Sequence, residues 1–359
     1  MHKLASASFP ALILLLALPA ISRADSVTTF STGGYLVPET ITPIPIGFGS
    51  VGGNYFVPDA SADKLFVMPA AGGAPTAFTT IPGSLTGGMF APSGYGSLSG
   101  NFLIVGNGQA VSVNASGTVV PLTLSNDTLA ATVAPTGFGS YGGKILLGNV
   151  ESNGVSDILV LNPNGTTSVL ASLGTQNSSG SPSTFSMGFA PSTFGQYAGD
   201  LIVTDSSSGK IYVITASGQV VVLATLPTPT VTSQTTGLRE FAFAPAGYGA
   251  YGGDLFVSVS GSQQGGGSVG SLDVVNSSGT EVADLLQGTN ASPLDPRGLY
   301  FVSSNQLLLS DADPGVISIT PTALNSTTPE PSSWALLLTG TLALFVMLRG
   351  RKTNFGQVS

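Results

Sequence analysis

The chain has 359 residues, a formal net charge of −8, no cysteine and one histidine, at position 2. Charged residues make up 8% of it and glycine contributes 48 positions, a balance unusual for a cytosolic enzyme and suited to a β protein rich in tight turns. With neither cysteine nor histidine beyond His2, the body lacks a Ser–His or Cys–His nucleophile and the usual zinc ligands.

In chain order, the first element is a leader. His2 and Lys3 form a short polar start, Phe9 to Ile21 is apolar, and Ser22-Arg23-Ala24 offers small residues at the −3 and −1 positions of a cut before Asp25. This pattern predicts a secretory signal peptide over residues 1–24. Between Asp25 and Thr328 lie five basic and seventeen acidic residues, so the body stands near −12. Such a surface disfavours phosphate contacts, and no nucleic acid partner is expected. An exported chain without disulfides must be held by its core, and about 300 residues can bury enough apolar surface to do so.

The body, residues 25–324, opens with a lone strand at Val27–Ser31 and then repeats itself. The phrase Ala134-Pro-Thr-Gly-Phe-Gly-Ser-Tyr-Gly-Gly-Lys144 is one of five variant copies, which place an aromatic at Phe48, Tyr95, Phe138, Phe194 and Tyr248, at steps of 47, 43, 56 and 54 residues. A sixth unit follows Arg297, with the glycine–aromatic loop deleted. Each unit reads as four short strands. In the fourth they are Phe185–Phe189, Asp200–Thr204, Lys210–Thr215 and Gln219–Ala224, punctuated by Gly, Ser and Asn. Four strands per 45–55 residues is the stride of a propeller blade, so the expected fold is an all-β, six-bladed β-propeller of four-stranded blades. The rivals are a pair of β-sandwiches or an irregular β-solenoid. The sixth unit supplies three strands (Leu299–Val302, Gln306–Leu309 and Val316–Thr320), and the N-terminal strand is predicted to complete it, removing an open sheet edge.

The repeated aromatics are read as packing against a neighbouring blade; the functional alternative is a ring of sugar-stacking platforms. Gly142-Gly143 and Gly252-Gly253 are expected to take positive φ. A second recurrent position follows each second strand: Asp59, Asn107, Asn149, Asp205 and Asp311, with Ser258 or Ser260 in the fifth unit. Asp and Asn there suit turn capping. No metal and no cofactor is expected, and the nearest to a calcium set is Asp311 with Asp313 and Asp59 with Asp63. Arg239-Glu240 is expected to be a solvated pair at a blade edge. Gly265-Gly266-Gly267 has no following helix or Lys-Ser/Thr and implies no phosphate loop. A paired-carboxylate hydrolase is not excluded by composition.

The strand–turn–strand unit Leu201-Ile-Val-Thr-Asp205…Gly209-Lys-Ile-Tyr-Val213 resembles the blades of NHL-type and gluconolactonase-like six-bladed propellers. That resemblance implies lactonases with a central metal held by Glu, Asn and Asp, a set the sequence alone does not assign to positions here. Propeller sugar dehydrogenases use a catalytic histidine, which this body lacks.

The chain ends with a linker and motif (325–331), an apolar run (332–348) and a basic tail (349–359). Pro329-Glu330-Pro331, then seventeen apolar-rich residues, then Arg349, Arg351 and Lys352 resembles the PEP-CTERM sorting domain of Gram-negative bacteria. The run is long enough to span a bilayer as one helix, and the basic cluster would stay cytoplasmic. The resemblance implies an exosortase as partner, an inner-membrane stage before processing, and export to the cell surface or exopolysaccharide matrix. The function expected is that of a non-catalytic surface or matrix protein. Alternatives are a diverged propeller hydrolase or lactonase, favoured by three or more carboxylates or amides converging on the channel, and a protein-binding module, favoured by an exposed apolar patch.

Overall fold

The computed structural model describes residues 26–321, apart from 84, 107, 125–126, 151–154, 176–183, 228–236, 262–269, 287–294 and 312–314. The expected signal peptide, sorting motif, membrane run and basic tail lie outside the described residues, as do Asn107, Asp313 and the Gly265–Gly267 stretch. Among the described residues no helix is long and apolar enough to cross a membrane.

The body is a six-bladed β-propeller. Five four-stranded antiparallel sheets follow in chain order (42–80, 87–122, 127–175, 184–225 and 238–284), each strand pairing with the next in sequence. Blade 6 combines Pro296–Ser303, Gln306–Asp311 and Gly315–Thr320 with Ser26–Thr32, which pairs antiparallel to Gly315–Thr320 from Ser26↔Thr320 to Thr32↔Gly315. The first strands of successive blades lie side by side around the axis. In the fourth unit the strands are Thr184–Phe189, Leu201–Asp205, Lys210–Ile214 and Val220–Thr225, within a residue of the pattern-based limits.

Burial explains the sequence texture. Second strands such as Tyr55–Asp59, Phe102–Gly106 and Leu201–Asp205 are buried at every residue, because both faces of a blade meet neighbours. They therefore read as continuous apolar runs rather than as alternating ones. Fourth strands form the rim and are largely exposed, as in Thr76–Thr80 and Glu281–Asp284. Six apolar clusters fill the six seams between adjacent blades. The one between blades 6 and 1 is the smallest, with Ile41, Tyr55, Val57, Met68, Leu308 and Val316 as its buried members.

Candidate functional site

The alternating strand directions give the ring two unlike ends. At one end, each repeated phrase folds into a short 3-10 turn between the first and second strands: Gly49–Val51, Gly96–Leu98, Gly139–Tyr141, Gly195–Tyr197 and Gly249–Tyr251. The aromatic sits just before each turn and is buried, from 0% exposed at Phe194 to 6% at Phe48. Each ring reaches the next blade. Phe48 packs edge-on against Phe90, Phe138 against Phe189, Phe194 against Phe243 and Tyr248 against Phe301, at 4.8–5.0 Å between centroids. Tyr95 uses its hydroxyl instead, donating to the Leu161 carbonyl (2.9 Å) and accepting from the Ile145 N–H (2.6 Å), both in blade 3. These five rings are wedges between blades, and no ring face is open for a sugar to stack on.

The glycine after each ring has φ between +51° and +57°, a left-handed conformation that a Cβ makes costly. The glycine pair later in the phrase divides its work. Gly143 and Gly253 are left-handed at φ +77° and +91°, whereas Gly142 and Gly252, at φ −51° and −57°, are not; the expectation of positive φ fails at these two. At Gly142 the constraint is proximity, since a Cβ there would stand 2.5 Å from the Thr136 carbonyl oxygen.

The opposite end is polar. Asp59 accepts backbone N–H bonds from Leu36 (2.6 Å), Val37 (3.1 Å), Ser61 (3.0 Å) and Ala62 (2.8 Å), tying the segment after the N-terminal strand to blade 1. Asp205 accepts from the hydroxyls of Ser207 (2.8 Å) and Ser208 (2.6 Å) and from their N–H groups. Asp311 accepts from the Asp295 N–H at 3.0 Å. Asp63 occupies a left-handed turn position at φ 52°. Among the described residues no group of three or more His, Asp or Glu side chains is placed to hold a metal ion. Asn149 is fully buried, and neither its amide nitrogen nor its oxygen has a hydrogen-bond partner.

The densest charge lies where blades 5, 6 and 1 meet. Arg297, at the start of the first strand of blade 6, pairs with Glu39 ahead of blade 1 and with Asp295, whose Oδ2 accepts from Nε (3.0 Å) and Nη2 (2.5 Å). Ser310 donates to the Glu39 carbonyl and accepts from the Gly298 N–H, each at 2.6 Å. Glu240 accepts from the Leu299 N–H at 3.0 Å, and Ser258 donates to the Arg297 carbonyl. Arg239-Glu240 is therefore not a freely solvated pair: both residues are half-buried, and Glu240 accepts a hydrogen bond from blade 6. Burial pushes the Glu240 carboxyl up to about 8; the Leu299 N–H opposes that shift and the Glu39 charge adds to it. Burial also lowers the Arg239 pKa, with the Arg297 charge in the same direction. Burial works against the Arg297 charge too, but Glu39 and Asp295 hold it in its charged form. Glu39 itself is pushed up by burial and pulled back by Arg297. Sequence reasoning missed this cluster. Its one visible trace was that Arg239 and Arg297 are two of only five basic residues between Asp25 and Thr328.

No family model matches the chain, and no curated protein matches it. Solved structures do. A gluconolactonase from Xanthomonas campestris aligns with TM-score 0.57 and 11% identity, covering 83% of this chain and 90% of that one. A luciferin-regenerating enzyme aligns with TM-score 0.55 and 10% identity, over 84% and 98%. The calcium-binding protein regucalcin from Agrobacterium tumefaciens aligns with TM-score 0.52 and 14% identity, over 82% and 95%. At such identities the likeness establishes the shared propeller fold and nothing about activity.

Proposed function

We propose that this is an exported, non-catalytic propeller, anchored transiently by its C-terminal sorting tail, processed by an exosortase and delivered to the cell surface or exopolysaccharide matrix. The observation that carries the non-catalytic part is how the polar end is used. Glu39 and one oxygen of Asp295 are taken by Arg297, Glu240 by a backbone N–H, and Asp59 and Asp205 by turn donors, while Asp295 Oδ1 is buried without a partner. These side chains hold the ring together and are not poised toward a substrate. Calcium, which the Agrobacterium protein binds, does not suit Glu39, because the Arg297 guanidinium already faces it. The tail part rests on Pro329-Glu330-Pro331, the apolar run and Arg349, Arg351 and Lys352.

The test is to express the chain with and without 332–359, fractionate the cells, and cosediment the released body with host exopolysaccharide. The proposal expects membrane retention only with the tail, and cosedimentation of the body. Identical fractionation of both forms would contradict the sorting role. The runner-up, a diverged propeller hydrolase, is favoured by Asn149, whose buried amide lacks a partner at the polar end. Lactone hydrolysis by the purified body that Asn149→Ala abolishes would replace the first reading with this one.

A further inference from the structure

The two ends of the folded ring leave it on one face. Ser26 pairs with Thr320, so the N-terminal strand begins beside the point where the last strand ends. Pro321 stands with its Cβ 3.5 Å from where a Cβ on Gly249 would lie, against the fifth repeat loop. In blades 2, 4 and 5 the turn between third and fourth strands meets the preceding blade's repeat-loop glycine in the same way: Ala115 faces Gly49, Ala216 faces Gly139 and Ser277 faces Gly195. The chain therefore enters and leaves at the loop end.

That end is nearly free of charge. The repeat loops, 45–54, 91–101, 134–144, 190–200 and 244–254, carry three charged residues, Lys144, Asp200 and Asp254, and Ile46 among them is 89% exposed. The polar end carries Glu39, Asp59, Asp63, Asp157, Asp205, Asp284, Asp295 and Asp311, of which Lys64, Lys210, Arg239 and Arg297 at the same end offset only part, so it is the more acidic of the two. A body near −12 is repelled by anionic headgroups, and the repulsion is least when its least acidic face is presented.

We propose that the repeat-loop face is a membrane-proximal surface: the tethered propeller rests on its glycine–aromatic loops over a phospholipid bilayer, with the polar mouth of the ring turned outward. This rests on the sorting-tail reading. Residues 322–331 number ten and reach about 35 Å at most when fully extended, which keeps the ring close to the bilayer. The wedge loops that fasten the blades would then also form the side laid against lipid, and any matrix component would meet the polar end first.

The absence of native cysteine allows a clean test. Single-cysteine full-length chains, Ser140→Cys or Ala250→Cys in exposed loop-end positions and Ser61→Cys at the polar end, are labelled with a fluorophore and reconstituted into phosphatidylcholine–phosphatidylglycerol vesicles. Nitroxide on the lipid headgroups then quenches labels near the bilayer. The expected result is flotation with the vesicles after alkaline washing, and quenching several-fold stronger at 140 and 250 than at 61. Flotation with equal quenching, or stronger quenching at 61, overturns the orientation and leaves the anchor standing. Failure to float overturns the anchor and the orientation together.

Discussion

Between blades 4 and 5 the seam is held by Phe194, fully buried and edge-on to Phe243, in the middle of a cluster of fourteen buried residues. Between blades 6 and 1 no repeat-loop ring is present. The apolar cluster shrinks to six buried residues, and the contact passes to Arg297, Glu39, Asp295 and the Ser310 hydroxyl. The two seams solve one problem with different physics. An apolar wedge needs only volume and shape, so duplication can copy it; an ionic junction needs partners that neutralise one another at a single place. The blade that lost its glycine–aromatic loop is the one that carries the ionic junction.

The largest expected effect is at the wedge. Phe194→Ala empties a fully buried site and should cost about 3–5 kcal/mol in denaturant unfolding. Loss below about 1 kcal/mol would mean the wedge does not hold the seam. At the other seam, Arg297→Met leaves Glu39 (2% exposed) without its countercharge and should cost about 3–5 kcal/mol, nearer the lower figure because Arg297 is 15% exposed. Adding Glu39→Gln should restore part of that loss, and a double variant no better than the single one would show that the charge pair is not the cause.

Two glycines in one loop separate backbone strain from crowding. Gly139→Ala forces a Cβ onto φ +51° and should cost about 1–2 kcal/mol. Gly142→Ala should cost less despite the close Thr136 carbonyl, because the second and fourth repeats already carry Ser99 and Ala198 at that position with φ −49° and −54°. The reverse order would contradict the distinction.

The effect most easily tuned is a pH slope at the ionic junction. Burial pushes the Glu240 carboxyl up to about 8 in the folded ring, against 4.5 in the unfolded chain, so between these values the folded state holds a proton the unfolded state has lost. The associated stability is present in full below about pH 4.5 and is lost as pH rises to about 8. Unfolding measured across that window should show the slope in the native chain and a flatter one in Glu240→Gln.

What sequence revealed divides along the same line. The five recurring rings, at nearly regular steps, marked five units and the lead-in at Arg297 a sixth, and apolar strands between Gly and Ser turns gave four strands in each of the five and three in the sixth. The lone strand after residue 25 was placed in the last blade because a ring leaves no edge unpaired, and its pairing with Gly315–Thr320 is observed. The ionic junction was not legible. Glu39 and Arg297 lie 258 positions apart, occur once each and share no pattern with the repeats. Arg239-Glu240 was misjudged because alternation within one strand says nothing about blade 6, whose Leu299 N–H reaches Glu240. The glycine pair was half read: Gly143 and Gly253 take the positive φ expected of them, whereas the preceding position is negative in φ and holds Ser99 and Ala198 in two other repeats.

Ring closure by the N-terminal strand underlies both the seam comparison and the shared exit face, and it can be measured directly. Thr28 faces Ser318 across the closing pair. In a chain with no other cysteine, Thr28→Cys with Ser318→Cys should oxidise to an intramolecular disulfide and raise the melting temperature, with a gain of about 3–5 kcal/mol for so long a loop. Two thiols that stay free under mild oxidation, or that link only between chains, would contradict the closed ring.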